Sequence, residues 1–538
     1  MNENNEPRLV DTGRGFSVSY QNRLLYSRVD PSKNSLLALQ RLQIKNETLY
    51  LCISPLLGYG LEHFLENLGE SSFVLGLEAD ENLMAFSASR VAPAILENPS
   101  FKYIRTSSAS RVLETLQALE KGPFRRCVRI DLSGGSSLHS EFYAETVSAV
   151  DEYISRYWRN HLTLMKLGRN FARNVFANCA LLSLSFEIPS ATFTLPVMVA
   201  GAGPSLDDSL PFIRAHRNAM HLLALDTALS SLHDAGITPD AVILVESQFW
   251  IERAFTGFRN SNIPVYADMT ARTNAMRATG GPIHFFFSEY TRCRFIARFL
   301  GAGFAPLVVP PLGSVGLVAL YLAEKTAAQN TPVLYTGLDF SFGKGFTHSR
   351  GSPPVREIQR QSNRFSPAGN EAPQLAPGVF TAKGKQNGPV YSDPSLSGYA
   401  DLCRGYFGKN KKLFDIGKTG FITAGMPVSE TEAARFFETT GTIRQDKSVG
   451  KKYSCEPLKI KSFLDGERQN LQELKDILCG NNAPDNLEKK VKALVSEMDY
   501  LFLHFPDGYR GYSGEKNFLK RVRIEVEYFL KTLKHCDT

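Results

Sequence analysis

The sequence lacks any segment that would place it in or across a membrane. Its 538 residues contain no apolar run approaching the roughly 18 residues that a membrane span needs. The opening residues, MNENNEPRLVDTGRGF, contain neither a basic n-region nor an apolar h-region of the kind that directs secretion. These absences predict a cytoplasmic protein without a membrane span.

The cysteines lack the spacing of a metal or redox site. None of the eight belongs to a C-x-x-C pair, which argues against zinc and against a dithiol centre. In a cytoplasmic protein, scattered thiols are expected to be reduced and mostly structural. They stand at Cys52, Cys127, Cys179, Cys293, Cys403, Cys455, Cys479 and Cys536.

The sequence also has no block of like charge. Its 61 basic and 54 acidic residues give a net charge of +7 that is spread widely. This pattern does not favour a nucleic-acid partner, and an anionic small ligand fits it equally well. With 43% hydrophobic and 21% charged residues, the chain is predicted to be globular, and its length indicates two or three domains.

The N-terminal part reads as a βαβ unit. The strand-like run TLYLCIS from about Thr48 is followed by PLLGYG, a helical pattern and the strand SSFVLGLEAD. Gly58 and Gly60 with Glu78 imitate a dinucleotide or methyl-donor site, in which an acid binds ribose hydroxyls. Because residues 55–57 are Pro-Leu-Leu rather than glycine, a structural turn is the alternative.

A helical pattern runs to about Ser183 and is predicted to bridge two domains. Beyond it, strands alternate with helices, which predicts an α/β fold with a doubly wound, mostly parallel, Rossmann-like sheet. Ligands of such sheets bind outside the carboxyl ends of the strands. The residues that follow strands here are Gly201, Asp226, Glu246 and Asp339.

The predicted domains are an N-terminal α/β domain (1–160), a central Rossmann-like domain (161–428) and a helical C-terminal domain (429–538). Residues 348–394 are so polar and so rich in proline and glycine that a lid or a disordered segment is expected instead of packed structure. The stretch GKTG at Gly417 is not a P-loop, because the Walker pattern requires glycine where Lys412 stands.

The turn GAGPS follows a buried-looking strand and suggests a phosphate site. Gly201 and Gly203 would let a ligand approach main-chain N–H groups. A helix that begins near Ser205, after Pro204, would add free N–H groups and a positive dipole end. The alternative is a tight turn in which Ser205 is only the N-cap.

Three stretches in this order resemble a known family: VMVAGAGPSLDDSLPFI, LLALDTALSSLHDAGITPDAVILVES and PLGSVGLVALYLAEKTAAQNTPVLYTGLDFSFGKGFTHSRG. They look like the motility-associated factor (Maf) glycosyltransferases, which modify bacterial flagellin with nonulosonic (sialic-acid-like) sugars. The same region is similar to archaeal hydroxymethylpterin diphosphokinases (MptE-like) and, more distantly, to bacterial sialyltransferases. The resemblance covers about residues 167–426.

This resemblance implies a donor site for a CMP-sugar, with the GAGPS turn against the nucleotide phosphate. It places Asp226 and Thr227 near the ribose or base, although Asp226 could instead cap its helix. It places Gly313 and Ser314 opposite the sugar carboxylate or a phosphate, although Gly313 could be a packing glycine.

On the transfer side the resemblance implies Asp339 of GLDF and His348 of THSRG. His348 is the better candidate base because imidazole titrates near neutral pH. Asp339 could orient it, contact donor hydroxyls or simply hold a turn. Tyr391, Tyr399 or Arg350 could stabilise the phosphate.

The implied reaction transfers the sugar to serine or threonine hydroxyls of flagellin or another protein acceptor, with no cofactor and no metal. Glu246, on the acceptor or metal side, departs from the aspartate that many family members have after the third strand. A diphosphokinase would instead require magnesium on carboxylates such as Asp226, Glu246 or Asp339. A non-catalytic nucleotide-binding protein is the remaining alternative, and a methyltransferase is the most distant one.

Overall fold

The computed structural model describes residues 6–119, 121–290, 293–304, 306–386, 388–438, 450–480 and 485–534. The chain divides into two compact units, residues 1–163 and 164–538. The second unit contains both the central segment and the C-terminal helices that the sequence analysis separates at residue 428.

The first unit is built on a parallel sheet of four strands in the order β6-β5-β4-β7, with a separate antiparallel sheet β1-β2-β3. Its strands are β1 (Arg8–Asp11), β2 (Phe16–Tyr20), β3 (Arg23–Leu24), β4 (Thr48–Ile53), β5 (Phe73–Glu78), β6 (Phe101–Arg105) and β7 (Arg126–Asp131). Its helices are α1 (Lys33–Gln40), α2 (Leu61–Glu66), α3 (Glu81–Ala88), α4 (Pro93–Leu96) and α5 (Ala109–Ala118). Every residue of β4 and β5 is buried, as expected for a parallel sheet covered on both faces.

The predicted helical region is confirmed as one helix, α6 (Ser140–Cys179), and the division between the two units falls within it. Near its C-terminal end, Asn174 and Asn178 are buried one turn apart. Their side-chain amides donate to main-chain carbonyls after two strands of the second unit, including those of Ser247 and Thr270. These bonds hold the end of α6 beside the carboxyl edge of that sheet.

The second unit contains a sheet of nine strands, all parallel, in the order β13-β12-β11-β10-β9-β8-β14-β17-β18. The strands are β8 (Val197–Ala200), β9 (His221–Leu225), β10 (Ala241–Leu244), β11 (Val265–Asp268), β12 (Ile283–Ser288), β13 (Leu307–Val309), β14 (Val333–Thr336), β17 (Leu413–Asp415) and β18 (Met426–Pro427), while β15 (Phe380–Lys383) and β16 (Pro389–Ser392) form a separate hairpin. The predicted doubly wound α/β class is confirmed.

The helices of this unit are α7 (Ser205–Ala215), α8 (Leu229–Asp234), α9 (Thr273–Arg277), α10 (Arg294–Gly301), α11 (Val315–Thr326), α12 (Pro353–Gln361), α13 (Pro394–Phe407), α14 (Glu430–Glu438), α15 (Pro457–Cys479), α16 (Asp485–Glu497) and α17 (Lys516–Lys534). The chain runs outward from β8 to β13, then returns to place β14 on the other side of β8. The strand order therefore reverses between β8 and β14, which is the position where open α/β sheets bind ligands.

Residues 348–394 correct the expectation of a segment without packed structure. They contain helix α12 and the hairpin β15–β16. Phe342 and Tyr391 exchange main-chain hydrogen bonds at 2.8 Å, and the Ser392 hydroxyl donates to the Phe340 carbonyl. Phe365 and Leu375, between α12 and the hairpin, are strongly exposed. The polar composition thus reflects a surface position and does not prevent secondary structure.

The predicted C-terminal helices are present as α15, α16 and α17. Arg169 of α6 forms a bidentate pair with Glu525 of α17, with both N–O distances at 2.7 Å, and Arg298 of α10 is paired with Glu467 of α15. Among the helices of the described ranges, none combines the length and the apolar composition of a membrane span.

Candidate functional site

The two glycines of GAGPS allow the turns after β8 and β14 to pack against each other. The Gly201 N–H donates to the Thr336 carbonyl at 2.9 Å, and the Gly203 N–H donates to the Gly337 carbonyl at 2.8 Å. A Cβ on Gly201 would lie 2.3 Å from the Gly337 oxygen, and Gly337 itself has a φ of +70°. Any side chain at these positions would force the two turns apart.

The N–H groups of Gly201 and Gly203 both donate to main-chain carbonyls at the end of β14 and in the turn after it. At the start of α7, the Ser205 N–H donates to Asp339 Oδ2 at 2.8 Å, and the next two N–H groups donate to the carbonyls of Gly203 and Pro204. The Asp339 carboxylate therefore occupies the position expected for a phosphate, and nucleotide binding through Gly201, Gly203, Pro204 and Ser205 stays a prediction.

Asp339 is buried at the switch point, and its two oxygens differ. Oδ2 accepts from Ser205, whereas Oδ1 has no hydrogen-bond partner among the described residues. Burial raises the pKa of Asp339 to about 6, although hydrogen bonding from Ser205 lowers it. The next residue, Phe340, has a φ of +47°, which is strained for a bulky side chain. Strain and a perturbed carboxyl together are typical of a functional site.

A buried ion pair lies beside Asp339. Lys385, which follows β15, binds Asp415 at the end of β17 with an N–O distance of 2.7 Å. Its ammonium also donates to the Gly417 carbonyl at 3.1 Å, and its charge lowers the pKa of Asp339. The hairpin thereby contributes a positive charge to the carboxyl edge of the sheet.

His348 lies next to the GAGPS turn because the THSRG segment is bonded to it. The Ser349 N–H donates to the Ala202 carbonyl at 2.8 Å, and the Arg350 N–H donates to the Asp207 carboxylate of α7. Nδ1 of His348 is 2.7 Å from Thr347 Oγ1. Burial lowers the pKa of His348, so the imidazole is neutral at pH 7 and can accept a proton.

Asp226 and Thr227 lie after β9, where their hydrogen bonds are local. One carboxylate oxygen of Asp226 accepts from the N–H and the hydroxyl of Thr227. Burial raises the pKa of Asp226 to about 6, and nearby Glu246 raises it further. These bonds go only to the adjacent residue and do not cap α8, whose N-cap Ala228 has no side-chain hydrogen bond. Contact of Asp226 with a ribose or base stays a prediction.

We expect Asp226→Asn to stabilise the protein above about pH 6. The amide oxygen can still accept from Thr227, while the burial penalty of the charge is removed. With a pKa of 3.8 in the unfolded chain and about 6 in the folded one, wild type loses up to ~3 kcal/mol of stability relative to the variant as pH rises through this window. Urea unfolding of both proteins at pH 4 and pH 7.5 measures the difference in their free energies of unfolding. An equal difference at the two pH values would contradict the raised pKa of Asp226.

Gly313 and Ser314 precede helix α11. Ser314 is the N-cap, and its hydroxyl accepts from the Gly316 N–H at 3.3 Å. Gly313 has a φ of +69°, and a Cβ there would lie 3.1 Å from the Tyr399 ring. The Tyr399 contact supports the packing alternative for Gly313, and contact of Gly313 and Ser314 with the sugar carboxylate or a phosphate stays a prediction. Tyr391 stacks on Phe342, with 6.2 Å between ring centroids.

Gly58, Gly60 and Glu78, which resemble a nucleotide site in the sequence, have structural roles in the first unit. Glu78 is fully buried; one oxygen accepts from the Ser54 hydroxyl at 2.7 Å and the other from the Asp80 N–H and the Tyr143 hydroxyl. Its hydrogen bonds are thus made within the unit. Gly58 and Gly60 have φ values of +68° and +81°, as a tight turn requires.

Sequence reasoning missed Lys385, Asp415 and the glycines after β17. A signal for Asp415 was available, because it ends the strand KKLFDIG. Asp226, Glu246 and Asp339 were singled out because they occupy the same position after their strands. Lys385 had no comparable signal, because it lies in the segment interpreted as lacking structure. Among the described residues no group of three or more His, Cys, Asp or Glu could hold a metal ion. A groove of about 490 Å³ along α15, lined by Gln469, Glu473 and Asp476 among others, contains none of the candidate residues.

The fold of this chain is shared with a glycosyltransferase of known structure. The chain resembles the structure of a Maf glycosyltransferase from Magnetospirillum magneticum AMB-1, with a TM-score of 0.56 and 14% sequence identity over 99% of this chain and 92% of that one. Residues 169–345 match the family described as 6-hydroxymethylpterin diphosphokinase MptE-like. The predicted resemblances to Maf and MptE-like proteins are thereby confirmed for the fold.

A relative of the whole chain identifies its family. An uncharacterized protein of Treponema pallidum (strain Nichols) is 36% identical over 555 residues, which cover 99% of this chain and 96% of the relative. The chain belongs to one protein family with it. A second uncharacterized protein of the same organism is 29% identical over 83 residues, 15% of this chain and 40% of that protein.

Proposed function

We propose that this protein is a glycosyltransferase that moves a nonulosonic sugar from a CMP-activated donor to serine or threonine hydroxyls of flagellin or another protein. The observation that carries the proposal is the likeness to a Maf glycosyltransferase over 99% of the chain. This likeness includes the first unit and the C-terminal helices, which lie outside the MptE-like match at residues 169–345.

The arrangement at the switch point supports a transfer reaction. His348 is held beside the GAGPS turn by Ser349 and has a lowered pKa, so it is suited to take the acceptor proton. As the acceptor oxygen bonds to the anomeric carbon, the bond from that carbon to the phosphate oxygen breaks and CMP leaves as a phosphate monoester. In this scheme Asp339 orients the donor and Lys385 stabilises the leaving phosphate. Support for the Lys385 role comes from its charge, which acts on Asp339 although its ammonium is paired with Asp415.

A diphosphokinase is the second candidate, and the MptE-like match favours it. Such an enzyme would bind ATP with magnesium, whereas the transferase binds CMP and CMP-sugars. A non-catalytic nucleotide-binding protein would bind its nucleotide without turnover.

Calorimetry with CMP, a CMP-sugar, ATP with magnesium, and S-adenosylmethionine separates these functions, together with acceptor transfer read by intact mass. We expect binding of CMP and the CMP-sugar, followed by a mass increase of the acceptor. Binding of ATP alone would identify the second candidate. Binding of S-adenosylmethionine alone would overturn both.

A further inference from the structure

The GKTG stretch, rejected above as a P-loop, lies directly on Asp339. We call residues 417–420 the covering loop. The Phe421 N–H donates to the Asp339 carbonyl at 2.9 Å. Gly420 has a φ of +94°, and a Cβ there would lie 2.7 Å from Asp339 Cα and 2.8 Å from Oδ1. Glycine is required at position 420 because nothing larger fits against Asp339.

Asp339 and the covering loop each contain a buried polar atom without a partner among the described residues. Asp339 Oδ1 and Thr419 Oγ1 have almost no exposed surface, and the described part of the chain offers neither of them a hydrogen bond. A buried polar group left unpaired costs stability and calls for an explanation. Thr423 shows the usual arrangement, since its hydroxyl is bonded to Tyr335 and Asp415.

The surroundings of the covering loop are those of the candidate site. A Cβ on Gly417 would lie 2.9 Å from Ser205 Oγ and 3.2 Å from Lys385 Nζ. The Lys385 N–H donates to the Gly420 carbonyl at 2.9 Å, which connects the loop to the hairpin. Serine, carboxylate and ammonium groups therefore surround a loop whose own hydroxyl is unpaired.

We propose that the covering loop is a movable wall of the donor site, and that Asp339 Oδ1 and Thr419 Oγ1 bind hydroxyl groups of the donor when the loop lifts. This inference rests on the proposed function and adds the loop and Thr419 to its binding residues. A carboxylate oxygen repels a phosphate and accepts from a hydroxyl, and both the ribose and the sugar of a CMP-sugar offer hydroxyls. Because both atoms are covered, the ligand reaches them only after the loop has moved.

The test is Thr419→Val, which keeps the shape of the side chain and removes the hydroxyl. If the Thr419 hydroxyl binds the ligand, it is unpaired in the free protein, so its loss raises the urea midpoint. The same loss weakens donor binding about 3- to 10-fold. A structural hydroxyl behaves in the opposite way. Thr423→Val is the matched control and is expected to lower the midpoint, because its hydroxyl has partners.

Calorimetry of Thr419→Val with CMP and with a CMP-sugar identifies which hydroxyl of the donor Thr419 binds. Equal weakening of both ligands assigns it to the ribose, and weakening of the CMP-sugar alone assigns it to the transferred sugar. An unchanged affinity, or a lowered urea midpoint, overturns the inference. If wild type binds neither ligand, the proposed function fails; a raised midpoint for Thr419→Val then still supports a site under the loop, and a lowered one overturns it.

Discussion

Replacement of His348 by alanine is expected to lower the rate of sugar transfer by a factor of about 100 to 10,000 while leaving donor affinity nearly unchanged. A general base takes the acceptor proton only as the new bond forms, so its loss acts on the transition state. The structure supports this role, because burial lowers the pKa of His348 and keeps the ring neutral. The measurement is the intact-mass shift of a folded acceptor protein, alongside calorimetry with the donor.

The pH profile provides a further check on the base. Protonation of His348 removes its ability to accept a proton, so wild-type transfer falls at low pH, and the lowered pKa moves this fall below the ordinary range of histidine. His63→Ala is the control, since His63 is strongly exposed in the first unit. Near-normal transfer by His348→Ala would move the base elsewhere, with Asp339 next, and lost donor affinity would make His348 a donor ligand.

Replacement of Gly203 by valine is expected to destabilise the protein by about 3 kcal/mol or more. A Cβ at this position would lie 2.4 Å from Asp339 Oδ2 and 2.8 Å from the Gly337 oxygen, and neither turn can yield without breaking its hydrogen bonds. The sequence alone predicts blocked nucleotide binding in an intact fold. The contacts instead predict loss of the fold around the β8–β14 switch point, measured as a lower urea midpoint.

The control for this change is Gly343→Ala. Gly343 lies a few residues after Asp339, and a Cβ there would meet nothing within 4 Å. Its stability should remain within about 0.5 kcal/mol of wild type, as is usual for an exposed position. A stable, folded Gly203→Val protein would show that the two turns can separate, and only then would the phosphate prediction explain this glycine.

Much of the fold could be predicted because its signals are local. Buried runs that alternate with helical patterns indicated the parallel sheet, and the apolar periodicity before Ser183 indicated α6. The hairpin β15–β16 was missed because it has no such local signal. Its strands are exposed or half-buried apart from Ser392, and main-chain bonds to Phe342, far along the chain, hold it in place.

The sequence by itself determined the alternation of strands and helices, the glycines that must follow β8, and the acids that end strands, because each depends on neighbouring residues. Only the tertiary structure decided what those groups contact. It placed Asp339 on the Ser205 N–H where a phosphate was expected, brought Lys385 to Asp415, and laid Gly420 over Asp339. These contacts join residues that are far apart in the chain, and their partners are set by the strand order, which local patterns do not specify.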